Sequence, residues 1–405
     1  MSSAKLKVAL PGYNALTDTN LDHYSVYSDQ DNILIKEYSR FQGTISSGGS
    51  QTINHNFNYI PFFMSFAYQD YGPDGAGTFY TQLGHNAFDV SCSAYSNNNT
   101  LTLSNYLGSA VPFTSYVFYD GFTNGTPSFV ESDIVFKVAK SGKSISSTNP
   151  NDFIIHSDLN GLKIIKEGTY TFNLTDYYNN VSFAHNGSIS TAHAYLMYIK
   201  FPDNSVTKVS SNIHNFSKDG NYSCSQLLMD KDKFYLSIGS GYNSFSATVK
   251  YYIFESPLSG TIGKTINLSD HLLRIAKSGY DASSDTEADH YNFLSGFNTL
   301  KYYALGTANL TIIGNGETQT ALGSVYHGLG YYPVIECMTN DNLGGGTLAN
   351  TYYATVPFDT SAFAFTDIAN CYWDTNYVYF EFSYSGTETI TQNFYYKLFK
   401  NNLGF

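Results

Sequence analysis

Apolar and polar positions alternate with a period of two along much of this chain. Thr169–Leu174 places Tyr170, Phe172 and Leu174 on one face, and Lys233–Ile238 does the same with Phe234, Leu236 and Ile238. Gly239-Ser240-Gly241 then turns the chain, and Phe245, Ala247, Val249, Tyr251 and Ile253 return on one face. The device recurs with Val378, Phe380, Phe382 and Tyr384, a turn at Ser385-Gly386, and Phe394, Tyr396 and Leu398. Leu101 and Leu103 alternate with Thr100, Thr102 and Ser104. A period of two with one apolar face predicts half-buried antiparallel strands. Tyr, Phe, Val, Ile and Thr suit that pleated surface. Short Gly/Asn/Ser turns between such runs point to all-β sandwiches. Helical periodicity is thin, and its best stretch, Leu272–Lys277, is too short to matter.

The pattern repeats on a longer scale. Val8-Ala9-Leu10-Pro11-Gly12 echoes Val138-Ala139-Lys140-Ser141-Gly142 and Ile275-Ala276-Lys277-Ser278-Gly279, with glycines 130 and then 137 residues apart. A second block carries Leu34, Leu162 and Leu300, lying 22, 20 and 21 residues after those glycines. A third carries His55, His185 and His327, 43, 43 and 48 residues after them. Each unit closes on an aromatic run: Tyr116–Tyr119, Tyr251–Phe254 and Phe394–Phe399. Four blocks in one order, three times over, predict three tandem antiparallel β-sandwich domains of the same fold, at residues 1–130, 131–260 and 261–405. The joins fall near residues 121–133 and 255–270, which are rich in Gly, Pro, Ser, Thr and Asn. A period near 130 is too long for a solenoid repeat, so each unit is expected to bury its own core.

Composition narrows the function. Charged residues make up 13% of 405, against about 25% in an average domain, while aromatics reach 17% through 37 Tyr and 30 Phe. Such a chain is not a disordered polyelectrolyte. With a net charge of -12 and two arginines, Arg40 and Arg274, it is a poor candidate for nucleic-acid binding. No apolar run is long enough for a membrane-spanning helix. The opening Met1–Val8 does not read as a secretory signal, so maturation in a cytoplasm is expected. Cys92, Cys224, Cys337 and Cys371 show neither a disulfide framework nor zinc-ligand spacing, and read as small apolar fillers.

Candidate chemistry is sparse. The repeated histidines invite a metal or catalytic reading, but each precedes a turn that feeds a strand, where an imidazole can bond the turn backbone. Asp29-Gln30-Asp31-Asn32 fails as a calcium loop, because Leu34 and Arg40 stand where Gly and Glu are required. Asp285-Thr286-Glu287-Ala288-Asp289-His290, with Asp18, Asp22 and His23 at the comparable place in the first unit, reads as a solvated loop rather than a cation site. Gly314-Asn315-Gly316, Gly344-Gly345-Gly346 and Ser47-Gly48-Gly49 lack the Lys-Ser/Thr of a phosphate loop and read as hairpin turns. No catalytic, cofactor-binding or metal-binding residue is expected, and a non-enzymatic protein is the leading reading.

Lys277-Ser278-Gly279-Tyr280-Asp281 followed by Phe297–Tyr303, and His327-Gly328-Leu329-Gly330-Tyr331-Tyr332-Pro333, resemble segments of virion structural proteins of tailed bacteriophages. His55-Asn56-Phe57-Asn58-Tyr59-Ile60-Pro61 keeps part of the second motif, while His185-Asn186-Gly187 loses its Tyr-Pro. The resemblance implies a tail, baseplate, fibre or capsid-decoration component of the virion, assembled in the host cytoplasm. Its partners would be other virion proteins and further copies of itself, as a homo-oligomer. The second reading is a fibre or adhesin module that binds a host-surface glycan or receptor. A depolymerase is the third, with no visible constellation to support it.

Overall fold

The computed structural model describes residues 6–405 apart from 19–23, 28–34, 70–78, 84–91, 123–135, 140–141, 157–158, 160, 177, 186–191, 210–214, 217–220, 241–243, 259–265, 272, 278, 288–289, 301, 341–352, 356–357 and 360–367. Among these residues there is no α-helix, only short 3-10 turns such as Pro150–Asp152 and Leu268–Asp270. Every strand pairing is antiparallel, as the period of two predicts. The one stretch with a helical pattern contributes the strand Arg274–Ala276 instead. The first join falls largely outside the described residues, as do residues 259–265 of the second.

Three large sheets carry the fold, and each is built from two thirds of the chain. The first runs Glu37–Ile45, Val111–Gly121, Pro61–Gln69 and Phe79–Gln82, then continues into Tyr222–Met229, Lys233–Ser240 and Tyr178–Ala184. The second runs Ile164–Leu174, Phe245–Pro257, His193–Lys200 and Val206–Lys208, then Ile368–Trp373, Tyr377–Tyr384 and Gln319–Tyr326. The third runs Tyr302–Ile313, Thr389–Asn402, Pro333–Asn340 and Tyr353–Thr355, then Cys92–Ser96, Thr100–Asn105 and Ser50–Asn54. Among the described residues the seams are single pairs: Tyr80 with Met229, Val206 with Trp373, and Tyr353 with Ser96. First third joins second, second joins third and third joins first, so the sheets close a ring.

This arrangement departs from the expectation that each unit buries its own core. One hydrophobic cluster runs from Ile35 to Leu403 through all three thirds. The physical reason is the edge strand. Phe79–Gln82, Val206–Lys208 and Tyr353–Thr355 would each leave a row of backbone groups unpaired, and each finds a partner in the neighbouring third. The turns at Ser47-Gly48-Gly49 and Gly314-Asn315-Gly316 also differ from the hairpin reading. The strands they connect lie in different sheets, so each turn carries the chain around a corner. Gly344-Gly345-Gly346 lies outside the described residues.

Local details recur at three positions. Lys7–Ala9 pairs with Tyr24–Tyr27, Lys137–Ala139 with Phe153–His156, and Arg274–Ala276 with Tyr291–Leu294. Each register shifts immediately before the alanine, at Ala9, Ala139 and Ala276. Gly12, Gly142 and Gly279 follow with φ of 89°, 75° and 90°. Nothing stands within 4 Å of a Cβ placed on any of them, so backbone conformation rather than space calls for glycine. The three small sheets meet in a separate cluster of Val26, Ile154, Ile155 and Phe293, flanked by Val8, Val138 and Ile275. The repeated apolar position before each alanine is therefore the position that faces the other two sheets.

The second repeated block fits less simply. Tyr119 N–H donates to the Lys36 carbonyl and Glu255 N–H to that of Lys163, which aligns Ile35 rather than Leu34 with Leu162. Leu34 itself is outside the described residues. Both lysines are buried, Lys36 donating to the Phe153 carbonyl at 2.7 Å and Lys163 pairing with Glu255. Two further buried pairs cross between thirds. Lys397 meets Asp120 at 2.8 Å, and Lys208 meets Glu336 at 2.5 Å, where the Tyr198 hydroxyl also donates to the carboxylate at 2.7 Å. Removing one member of such a pair leaves a charge in a low-dielectric interior.

Because every large sheet needs strands from two thirds, residues 131–260 expressed alone are expected to show no cooperative unfolding, whereas the whole chain unfolds in one transition, as read by circular dichroism in denaturant. Lys397→Met is expected to lower stability by about 3–5 kcal/mol by stranding Asp120, with partial recovery in Asp120→Asn/Lys397→Met, measured from denaturant midpoints.

Candidate interaction surface

The repeated histidines sit at three equivalent hairpins. The backbone N–H of His55 donates to Asn99, that of His185 to Asp232 and that of His327 to Asn376. Each hairpin is tied by one side chain two or three residues earlier. Asn97 Oδ1 accepts the N–H groups of Asn99 and Thr100, Asp230 Oδ1 those of Asp232 and Lys233, and Asp374 Oδ1 those of Asn376 and Tyr377. The imidazoles complete the motif. His185 Nε2 lies 3.3 Å from the Asp230 carbonyl and His327 Nε2 3.2 Å from that of Asp374. On the other side of the ring, Nδ1 accepts from Phe57 N–H in His55 and from Leu329 N–H in His327. An imidazole that accepts on one nitrogen and donates on the other is neutral. Burial pushes the His55 ring down to about 4, against the carbonyls of Thr100 and Asn97, and lowers His185 and His327 in the same direction.

The residues flanking these hairpins separate the three thirds. Anchoring on the histidines, Asn54, Ala184 and Tyr326 are equivalent, as are Ser50, Asn180 and Leu322. The first third is polar along this outer face, with Ser50, Thr52 and Asn54 exposed. The second carries Asn180, Ser182 and Ala184, and the Ser237 hydroxyl donates to Asn180 Oδ1 across the strands. The last third instead exposes Leu322 (69%) and Tyr326 (66%). From Tyr326 a row of rings crosses the sheet. Tyr326 and Tyr377 lie 5.3 Å apart, Tyr377 and Tyr379 6.0 Å, and Tyr379 and Tyr372 stack at 5.3 Å. Tyr379 is fixed by its hydroxyl, which donates to Asp374 Oδ2 at 2.8 Å.

The strand beneath this face, Gln319–Tyr326, is an end strand of its sheet and carries no charged residue. Uncharged edge strands and exposed apolar side chains are what contact surfaces present. Tyrosine adds a polar tip to each ring, so the face can be wet before contact and packed afterwards. The repeated blocks do not include the outward positions Leu322 to Tyr326, so the motif pattern does not mark this face. The signal is nonetheless present: Ser50, Asn54, Asn180 and Ala184 are polar or small where Leu322 and Tyr326 are large and apolar.

Other features expected from the sequence are distributed around the molecule. Asp285 accepts from the Glu287 N–H and lies 2.9 Å from His290 Nδ1, and the first of these contacts holds its carboxyl below the usual range. Tyr291 donates to the carbonyl of Asp285, as Tyr24 does to that of Asp18. This loop is thus a strand-entry turn in both places, while Asp22, His23 and Asp289 lie outside the described residues, as do Asp29–Asn32. Among the described residues no three His, Cys, Asp or Glu side chains group as metal ligands. Cys92, Cys224, Cys337 and Cys371 are buried free thiols, and burial pushes Cys92 up to about 12. Among the described residues no helix is long and apolar enough to cross a membrane.

No protein-family model, curated protein or solved structure matches the chain.

The histidines impose a pH dependence of definite sign. In the unfolded chain they titrate near 6.5, and in the folded chain burial holds them lower, to about 4 for His55. The unfolded state therefore binds their protons first, and stability falls as pH drops from about 6.5 through 4. Denaturant midpoints measured across that window are expected to decline, and His55→Gln is expected to flatten the decline.

Proposed function

We propose that this chain is a non-enzymatic structural component of a tailed-bacteriophage particle: a tail, baseplate, fibre or capsid-decoration protein. It comprises three copies of one antiparallel β-sandwich, at 1–130, 131–260 and 261–405, closed head to tail so that one polypeptide imitates a homotrimer. The cyclic order of the shared sheets supports the ring. The three equivalent histidine hairpins and three equivalent alanine bulges support the common fold. Closed symmetry normally makes all copies identical. Fusing them in one chain frees each copy to change by itself.

The observation that carries the functional reading is the tyrosine-lined face of the last third. Its equivalents, Ser50 and Asn54 in the first third and Asn180 and Ala184 in the second, carry no large apolar side chain, so folding does not require an apolar face there. Aromatic side chains are the usual anchors of protein contacts. A ring with one altered face attaches at one position, which fits a particle part that joins a neighbouring virion protein. The expected homo-oligomer would use the same face, by pairing of the uncharged Gln319–Tyr326 edges.

Two measurements test this. Mass spectrometry of purified particles is expected to find the chain among the virion proteins. Leu322→Ser/Tyr326→Ser is expected to unfold at an unchanged midpoint yet lose at least tenfold in incorporation, with any oligomer seen by light scattering reduced to the single 44.9 kDa chain. Absence from particles, or incorporation unaffected by the double change, would overturn the proposal.

A further inference from the structure

The ring brings all three thirds together around a pocket of about 190 Å³. Measured against the share of one water in the liquid, that is room for about six waters. It suits one small ring-shaped molecule rather than an extended chain.

Its walls are polar and charge-compensated. Tyr13 stands at the rim, 47% exposed, and comes from the first third. The second third supplies Tyr252, Lys250 and Glu167. Lys250 Nζ lies 2.9 Å from Glu167 and 5.2 Å from the centre of the Tyr252 ring. The ammonium is thus held by a carboxylate and an aromatic face, and the wall presents no net charge. The last third supplies amides. Asn401, 2% exposed, donates to the Thr299 carbonyl at 3.0 Å, which fixes its side chain. Asn402 Oδ1 accepts from Gly404 N–H at 2.9 Å, so its NH₂ group remains as a donor.

We infer that this junction pocket binds a neutral, polyhydroxylated ring molecule, a pyranose in chemical class. The exposed Tyr13 ring offers a flat apolar face for the C–H side of a sugar, while the buried Tyr252 ring backs the Lys250 ammonium. Amide donors and acceptors match its hydroxyls. A carboxylate or ammonium ligand would have to displace one partner of the Lys250–Glu167 pair and lose hydration in doing so. The pocket exists only in the closed ring, because no single third contains its lining. The inference does not depend on where the protein resides, so it stands or falls separately from incorporation into particles.

Saturation-transfer NMR on the intact chain, with methyl glycosides of glucose, galactose and N-acetylglucosamine and with methyl glucuronate glycoside ionised at neutral pH, tests it. Saturable binding is expected for at least one neutral glycoside, weakened at least tenfold in Tyr13→Ala and in Asn402→Ala. Tyr106→Ala, at a 59% exposed tyrosine that is not among the lining residues, is expected to bind like the parent. A second arm uses immobilised oligosaccharides ending in the same sugar. Retention there identifies a glycan terminus as the source, and binding of the free glycoside alone identifies a free sugar. No saturable binding of any neutral glycoside, tighter binding of the glucuronate, or binding undiminished by Tyr13→Ala and Asn402→Ala would overturn the inference.

Discussion

Backbone groups at the end of a sheet must find partners, and this requirement shapes the molecule. Phe79–Gln82, Val206–Lys208 and Tyr353–Thr355 are short strands, each at the end of one third's own ladder. Alone, each would expose unpaired amides and carbonyls beside an apolar core. Joining each to the following third removes three edges at once. Among the described residues the join is narrow, a single residue pair at each seam, so side chains add to what the ladder begins. The core obliges by running through all three thirds without interruption.

The seams also explain the buried charges. Lys397 reaches Asp120, and Lys208 reaches Glu336, across boundaries between thirds. Such pairs contribute little net stability over apolar replacements of the same shape. They do penalise any arrangement that separates the partners. Thr114 and Gln42 reinforce this by donating to the Leu258 carbonyl, and Thr207 by donating to that of Cys371. Polar contacts of this kind fix which third lies beside which, where hydrophobic contact alone would tolerate sliding. They differ from seam to seam, so the three boundaries are distinct.

That divergence is where function enters our reading. At the three histidine hairpins the position that enters the core after the turn stays apolar, as Val378, Phe234 and Leu101 illustrate. Positions facing outward are free, and there the last third alone acquired Leu322, Tyr326 and Tyr377. Comparing the three recurring hairpins separates what their local fold demands from what it does not. The histidines fall on the first side. Their imidazoles finish a hairpin, with a ring nitrogen beside a turn carbonyl, and burial keeps them neutral.

Much of this was legible in the sequence. Alternation at Phe234, Leu236 and Ile238, or at Phe394, Tyr396 and Leu398, named both the strands and their buried faces, because side-chain direction in a strand depends only on parity. Tyr170 departs from its own series: at 44% exposure it lies at a sheet end, which parity cannot reveal. The recurring Gly12, Gly142 and Gly279 marked a backbone conformation that glycine adopts most readily. Tertiary structure alone decided that the thirds share their sheets, that Lys397 would sit against Asp120 although 277 positions separate them, and that Tyr13, Tyr252 and Asn402 would surround one pocket. Local patterning fixes which face of a strand is apolar. Which strand lies next to which is chosen by edges, buried charges and shape, and those act only after distant segments have met.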